Sequence, residues 1–297
     1  MPLNLFIGAT GWSYPDWNNL VYPSRRPKNF SELAFLSQWF NVVEINSTYY
    51  HPQSTGASKE WLKQVAANPR FCFTAKLWQK FVLEKTTAGY SQSDLEIAKR
   101  GMRPLLEAGR LGALLMQFPQ SFYYNDSNHD RLRRLLEAFQ EFPIVVEIRH
   151  DSWHRPEILQ ELSQRGAGFA NIDQPQIGHA LGFTQIVCSR IGYFRFHGRN
   201  QEQWLNKDAG VEQRYDYLYS TAELRDFLAP IQNALRQTEA THAVFNNHPR
   251  GQAVVNALQM QHELAGTKFN LPDKLLHTYP DLVRLRLGSN PQQVDLF

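Results

Sequence analysis

The sequence predicts one α/β domain, a single (β/α)8 barrel of the TIM type with a short C-terminal extension. Three observations predict it. Eight short apolar runs recur along the 297 residues, each followed by a stretch of helical spacing or a helix-sized gap. Such alternation implies a parallel sheet. The eight units span roughly 260 residues, close to the ~250 typical of this barrel. The competitor is an open doubly wound sheet, which usually carries a Gly-rich phosphate loop after its first strand. The stretch GATGWSYPDW in that place is not G-x-G-x-x-G.

The elements follow in order. LFIGAT (Leu5 to Thr10) reads as the first strand, and FSELAFLSQWF has helical spacing after it. VVEINS is the second strand and GASKEWLKQVAA its helix. FCFTAKL is the third. SDLEIAKRGMRPLLEAG reads as a helix capped by Ser93, kinked at Pro104 and stopped at Gly109. LGALLMQF is the fourth strand, ended by Pro119, and NHDRLRRLLEAFQEF is an amphipathic helix. IVVEIRH is the fifth strand, with RPEILQELSQRG as its helix. AGFANID is the sixth. TQIVCSRI, within residues 174–192, fits either a short extra strand or irregular chain. YFRFHG is the seventh strand, followed by a polar loop over residues 200–218. STAELRDFLAPIQNALRQ is a helix opened by a Ser/Thr cap with Glu223 as its box partner. HAVFNNH is the eighth strand and GQAVVNALQMQHELAG the closing helix. The barrel is expected over 1–266 and an extension and tail over 267–297.

Composition allows this plan and excludes others. Hydrophobic residues are 42% and aromatics 13%, so a large core is available. The net charge of +3 neither demands nor excludes a nucleic-acid partner. Cys72 and Cys188 give no disulfide framework and no metal spacing. No signal peptide is read in MPLNLFIGAT, and no run approaches the ~18 apolar residues of a membrane span. A reducing cytoplasm is the expected location.

Strand side chains alternate between faces, and residues that meet the outer helices should be apolar. With Val43 and Ile45 outward, Glu44 and Asn46 point into the barrel. With Val146 and Ile148 outward, Glu147 and Arg149 point in. With Phe194 and Phe196 outward, Arg195 and His197 point in. The same rule applied to Ala170 and Ile172 leaves Asn171 and Asp173 inside. Lys76, Gln117 and Asn247 join from the third, fourth and eighth strands. All lie toward C-terminal strand ends, the catalytic face of such barrels. Glu44, Glu147 and Asp173 balance Lys76, Arg149 and Arg195, so the set could simply pair with itself. Yet desolvation makes a charged interior a poor route to stability, and that favours a functional pocket.

Glu44 and Glu147 suit a general acid and base. Arg149, Arg195 and Lys76 suit a phosphate or carboxylate. His197 can relay a proton or bind metal. Glu147, Asp173 and His197, on consecutive strands, are the set that would hold a divalent metal. No H-x-H or H-E-x-x-H spacing supports one, nearby cations oppose it, and no cofactor is required. His51, His150 and His248 are out of phase and read as loop hydrogen-bonders. In GWSYPDW, Trp12 and its neighbours either stack on a sugar or base or plug the barrel end, and Tyr49 and Tyr50 share that ambiguity.

Six stretches, IGATGWSYPDW, NVVEINSTYYHPQ, FCFTAKLW, LMQFPQSF, VVEIRHDSW and AVFNNHPRGQAVVNA, together resemble the domain-of-unknown-function 72 (YecE-like) family. The likeness runs in order over about nine-tenths of the chain. It implies a TIM-type barrel and no settled reaction. By fold it is distantly similar to the class holding xylose isomerases and metal-dependent abasic-site endonucleases. The chain lacks the dense His set of those endonucleases, which argues against a multinuclear zinc mechanism.

The expected function is a hydrolase or lyase binding an anionic, phosphate-bearing substrate, a nucleic acid or a sugar phosphate. Glu44, Glu147, His197 and Asp173 are the catalytic candidates. Trp12, Asn46, Tyr49, Lys76, Gln117, Arg149, Arg195 and Asn247 are the substrate-binding ones. The alternative is a non-catalytic DNA-maintenance module. The terminal QVDLF (Gln293 to Phe297) resembles the peptide that docks bacterial proteins on the replication sliding clamp. In it Leu296 and Phe297 are apolar anchors and Gln293 a register-setting polar contact.

Overall fold

The computed structural model describes residues 2–83, 90–206 and 208–288. Eight strands form one closed parallel barrel: β1 (Leu5–Thr10), β2 (Val42–Ile45), β3 (Cys72–Lys76), β4 (Leu111–Gln117), β5 (Ile144–Glu147), β6 (Gly168–Asp173), β7 (Ile191–Phe196) and β8 (Ala240–Phe245). β8 returns to pair with β1, Leu5 opposite Thr241 through Ala9 opposite Phe245. That closure decides for the barrel over the open sheet, which would leave two strand edges unpaired.

The helices and turns of the outer layer follow from their end residues. They are α1 (Glu32–Leu36), α2 (Ser47–Tyr50), α3 (Thr55–Gln64), α4 (Gln79–Leu83), α5 (Gln92–Glu107), α6 (Asp126–Ala138), α7 (Pro156–Gln164), α8 (Gln201–Leu205), α9 (Val211–Tyr215), α10 (Thr221–Asp226), α11 (Leu228–Leu235), α12 (Gln252–Ala265) and α13 (Asp273–Thr278). Side-chain oxygens of Ser31, Ser54 and Asn125 accept from the third residue on, at 2.8–3.1 Å, satisfying amides that the first turn leaves bare. Ser220 and Glu223 form the expected reciprocal cap. The cap of α5 is Ser91, not Ser93.

Other boundaries move for physical reasons. The long helix expected from Ser220 breaks at Phe227 into α10 and α11. TQIVCSRI is irregular chain up to Arg190, its Ile191 opening β7, and it is pinned because the Asn171 side-chain oxygen accepts from Thr184 and from the Ile186 amide, both at 2.7 Å. The polar loop after β7 contains α8 and α9. β5 stops at Glu147, so Arg149 stands beyond the strand, above the barrel rim.

Outward strand residues bury themselves under the helices. Val43, Ile45, Phe73, Leu114, Met116 and Val146 meet one helical layer, and Ile7, Phe194, Phe196, Ala243 and Phe245 meet another. Each large side chain so buried contributes about 1.5–3 kcal/mol. Inside the barrel, Ala113, Leu115, Val145, Ala170, Ile172, Tyr193 and Val244 form a separate cluster. Its apolar part is the floor on which the polar residues of the C-terminal end rest. After α12, Leu271, Leu275, Leu282 and Leu285 pack back onto the barrel. Gln293, Leu296 and Phe297 lie outside the described residues. No helix among the described residues is long and apolar enough to cross a membrane.

Candidate active site

Arg195 sits at the centre of the barrel and is fully buried. One guanidinium nitrogen donates to Glu44 at 2.6 Å; another donates to Glu147 and, at 3.0 Å, to Gln117. Thr10 and Tyr193 close the far side of Glu44, at 3.3 and 2.9 Å, and Tyr193 also reaches Thr74 at 2.9 Å. Glu44, the oddly placed carboxylate of β2, is thus held by groups from β1 and β7. Glu147 is shared: Arg149 donates to its second oxygen from Nε at 2.9 Å and has an η nitrogen 2.8 Å away. Burial alone would raise the Glu147 carboxyl. Arg195, Arg149 and the His197 contact overcome that and hold it well below the usual carboxylate range. At neutral pH it is an anion engaged by two guanidiniums, a poor proton shuttle.

His197 is fully buried. Arg149 and Arg195 nitrogens face its Nε2 at 3.3 and 3.4 Å. Glu147 Oε1 lies 3.6 Å from the same Nε2, so this ring edge meets two guanidiniums and the carboxylate they share. The Asn246 side-chain Nδ2 lies 3.0 Å from Nδ1. Burial and the two guanidiniums push the imidazole down to about 3, so it is neutral.

Lys76 differs from the arginines. Its ammonium stands 5.6 Å over the Tyr49 ring, with no carboxylate in ion-pair range among the described residues. Burial, helped by Arg195, pushes it down to about 7 against the pull of Glu44 and Glu147. Asn46 has a buried Oδ1 without a partner among the described residues. Ile45 pairs with Ala75 in register, so Asn46 and Lys76 leave adjacent strand ends side by side.

Three expected members are elsewhere. Ala170 and Ile172, not Asn171 and Asp173, fill the interior. Asp173 points outward and is held by Arg199 at 2.9–3.1 Å and Tyr219 at 2.6 Å. The Glu147, Asp173 and His197 metal triad is therefore not assembled. Asn247 is one position out of phase. It donates outward to Tyr217 O and Asn256 at 2.7 and 2.8 Å, while Asn246 faces His197. Trp12 turns to the outside, edge-on to Trp61 of α3 at 5.4 Å. In the same loop Trp17 is fully buried and donates to His248 O at 2.9 Å, so this part of the loop packs the barrel end. His150 accepts from the Ser152 amide at 3.2 Å, a loop contact. With Asp151 and His179 it forms the trio of possible metal ligands found among the described residues, outside the ring.

Comparison with known proteins agrees with this architecture. The family model described as "Protein of unknown function DUF72" matches residues 6–278. The chain belongs to the DUF72 family. The UPF0759 protein YunF of Bacillus subtilis is 27% identical over 99% of this chain and all of its own length. The UPF0759 protein YecE of Escherichia coli is 26% identical over 62% of this chain and 64% of its own. A DUF72 structure from Thermotoga maritima has a TM-score of 0.75 at 33% identity, over 88% of this chain and 98% of that one. One from Enterococcus faecalis has a TM-score of 0.76 at 28% identity, over 88% and 95%.

This DUF72 site also uses residues that the sequence reading passed over. Trp204 and Tyr215, from α8 and α9, lie 6.4 and 5.7 Å from the His197 ring. Trp204 also has the Arg149 guanidinium 5.8 Å from its centroid. Three aromatics, Trp204, Tyr215 and Tyr217, in a mostly polar loop were the available signal. Tyr193 and Thr74 were legible too, each two positions before a ring residue and so on the same face.

Proposed function

We propose that the C-terminal mouth binds an anionic, phosphate-bearing substrate, a nucleic acid or a sugar phosphate, and acts on it as a hydrolase or lyase. Lys76 supports this reading most. Arg195 and Arg149 are engaged by Glu44 and Glu147, two cations against two anions. Lys76 is the surplus positive charge, beside the unpartnered Asn46 oxygen. A phosphate ester supplies an acceptor for the ammonium with a charge-assisted bond, and a hydroxyl of the same substrate supplies a donor for the Asn46 oxygen. Arg149, whose side chain is 11% exposed, is the second reachable cation.

The proton-transfer role passes from the glutamates to Lys76. An amine poised near neutral pH can accept a proton, as hydrolysis needs, or attack a carbonyl, as an imine-forming lyase does. In the second case the nitrogen bonds the carbonyl carbon and water leaves. Calorimetric titration with inorganic phosphate at pH 6 is expected to show binding that falls at least tenfold in Lys76→Met. Equal affinity in both proteins overturns the anion site. Borohydride trapping with an aldehyde-bearing sugar phosphate separates the branches: a mass adduct on Lys76 selects the lyase, none the hydrolase.

The second reading, a DNA-maintenance module docked on the sliding clamp, is favoured by QVDLF with its two apolar anchors. Purified clamp is expected to bind the full chain at micromolar to tens-of-micromolar Kd and to lose binding when Gln293 to Phe297 are deleted. Equal binding by both chains ends that reading.

A further inference from the structure

The opposite end of the barrel holds a cavity of about 470 Å³, within the range of small-molecule sites. Phe6, Leu111, Ile191 and Ala240 give it apolar walls, and Cys72 and His242 line it. His242 is 1% exposed, yet neither of its buried ring nitrogens has a hydrogen-bond partner among the described residues. Buried polar groups are ordinarily paired, so an unpaired imidazole lining a cavity points to a missing occupant. The ring is fixed between Phe6, stacked at 5.0 Å, and Tyr193 at 5.7 Å.

Gly112 shows how closely the chain is fitted around this ring. A methyl carbon there would stand 2.5 Å from His242 Cε1 and 3.2 Å from Cys72 Sγ. The glycine therefore keeps open the place where imidazole and thiol meet the cavity. Water is a poor tenant, because an ordered water needs two to four polar partners and the walls are mostly apolar. Among the residues that line it, Arg190 and Glu239 are an ion pair at 3.2 Å, so the lining itself carries no net charge. Burial keeps His242 neutral, at about 4, with one nitrogen free to accept.

We propose that this N-terminal mouth is a second binding site, for a small uncharged aromatic molecule whose single N–H or O–H group docks on His242. It is independent of the chemistry proposed at the other end. The aromatic body replaces the missing contacts of the apolar walls, and the donor satisfies the imidazole.

The test uses indole and its carbocyclic analogue indene, which has the same shape and no N–H. Calorimetry is expected to give an indole Kd of about 10–500 μM, at least tenfold tighter than indene. His242→Phe retains a ring between Phe6 and Tyr193 and is expected to bring indole down to the indene level. Saturating indole is expected to slow methylthiolation of Cys72 by methyl methanethiosulfonate at least tenfold. Cys188, read by peptide mass in the same sample, keeps its rate. No indole binding, equal affinity for indole and indene, or binding that leaves Cys72 unprotected each overturns the site. Those three readouts use the wild-type chain and stand even where the variant fails to fold.

Discussion

Replacing Arg195 with methionine is expected to lower the unfolding free energy by about 3–5 kcal/mol, the range for breaking a buried ion pair by removing one partner. The magnitude comes from what is left behind. Glu44 and Glu147 are both fully buried, and Arg195 donates to each. Without it, Glu44 retains two hydroxyl donors, Thr10 and Tyr193, and Glu147 retains Arg149. Two carboxylates then share one partly exposed cation. Arg195→Lys keeps the charge but loses the fork that spans β2 and β5, so a smaller loss is expected. Adding Glu44→Gln and Glu147→Gln to the methionine variant should recover part of the stability, since the unpaired charge is the main penalty. Urea denaturation, read as midpoint at constant slope, measures all of these. A loss below about 1 kcal/mol, the level of an exposed pair, would show that the ring is not the dry cluster described.

Between pH 7 and pH 8.5 the wild-type chain is expected to gain about 1.5–2 kcal/mol of stability, and Lys76→Met to lose that gain. At higher pH the unfolded chain ionises the thiols and phenols whose folded forms burial holds protonated, and stability falls again. The folded pKa of Lys76 is lowered from 10.5 to about 7. Below pH 7 the folded and unfolded chains both carry the proton, and the penalty of holding an unpaired ammonium in the ring is complete. Above pH 7 the folded chain releases the proton while the unfolded chain keeps it up to about 10.5. The unfolded state then binds more protons, so stability rises with pH. The acid side has the same slope from different groups. His197 and His242 are lowered to about 3 and about 4, so below about 6.5 the unfolded chain takes up protons that the folded one refuses. Stability therefore falls toward acid, further below about 4.5 as the unfolded Glu147 protonates. Urea midpoints at half-unit pH steps test both limbs. A flat response from pH 7 to 8.5 in the wild type would place Lys76 in water rather than in the ring.

How far the site was legible depends on the strand. In VVEI, IVVE and YFRF, bulky apolar residues flank single charges, and one face can only be the helix-packed one. Glu44, Glu147 and Arg195 were assigned inward on that ground, and that is where they stand. GFANID misled because a barrel strand is buried on both sides. Ala170 and Ile172 fit the narrow interior, whereas Asn171 and Asp173 find hydrogen bonds outside, with the irregular chain before β7 and with Arg199 and Tyr219. FNNH carried two adjacent amides, and Phe245, outward under the helices, was the residue that broke the tie: it sets Asn246 inward and Asn247 outward. Trp204 and Tyr215 were hidden in a stretch whose polarity suggested an open loop.

The sequence by itself determined the eight strand-and-helix units and the inward charges of β2, β5 and β7. These depend on local periodicity, and two residues of spacing are enough to set a face. Only the tertiary structure decided which charges are already paired. Glu44 and Arg195 are 151 residues apart in the chain and 2.6 Å apart in space, and Lys76, equally inward, reaches no carboxylate among the described residues. Alternation says which way a side chain points. Whether it finds a partner depends on distances across the barrel, set by strand register and closure, and those distances are not written in any local pattern.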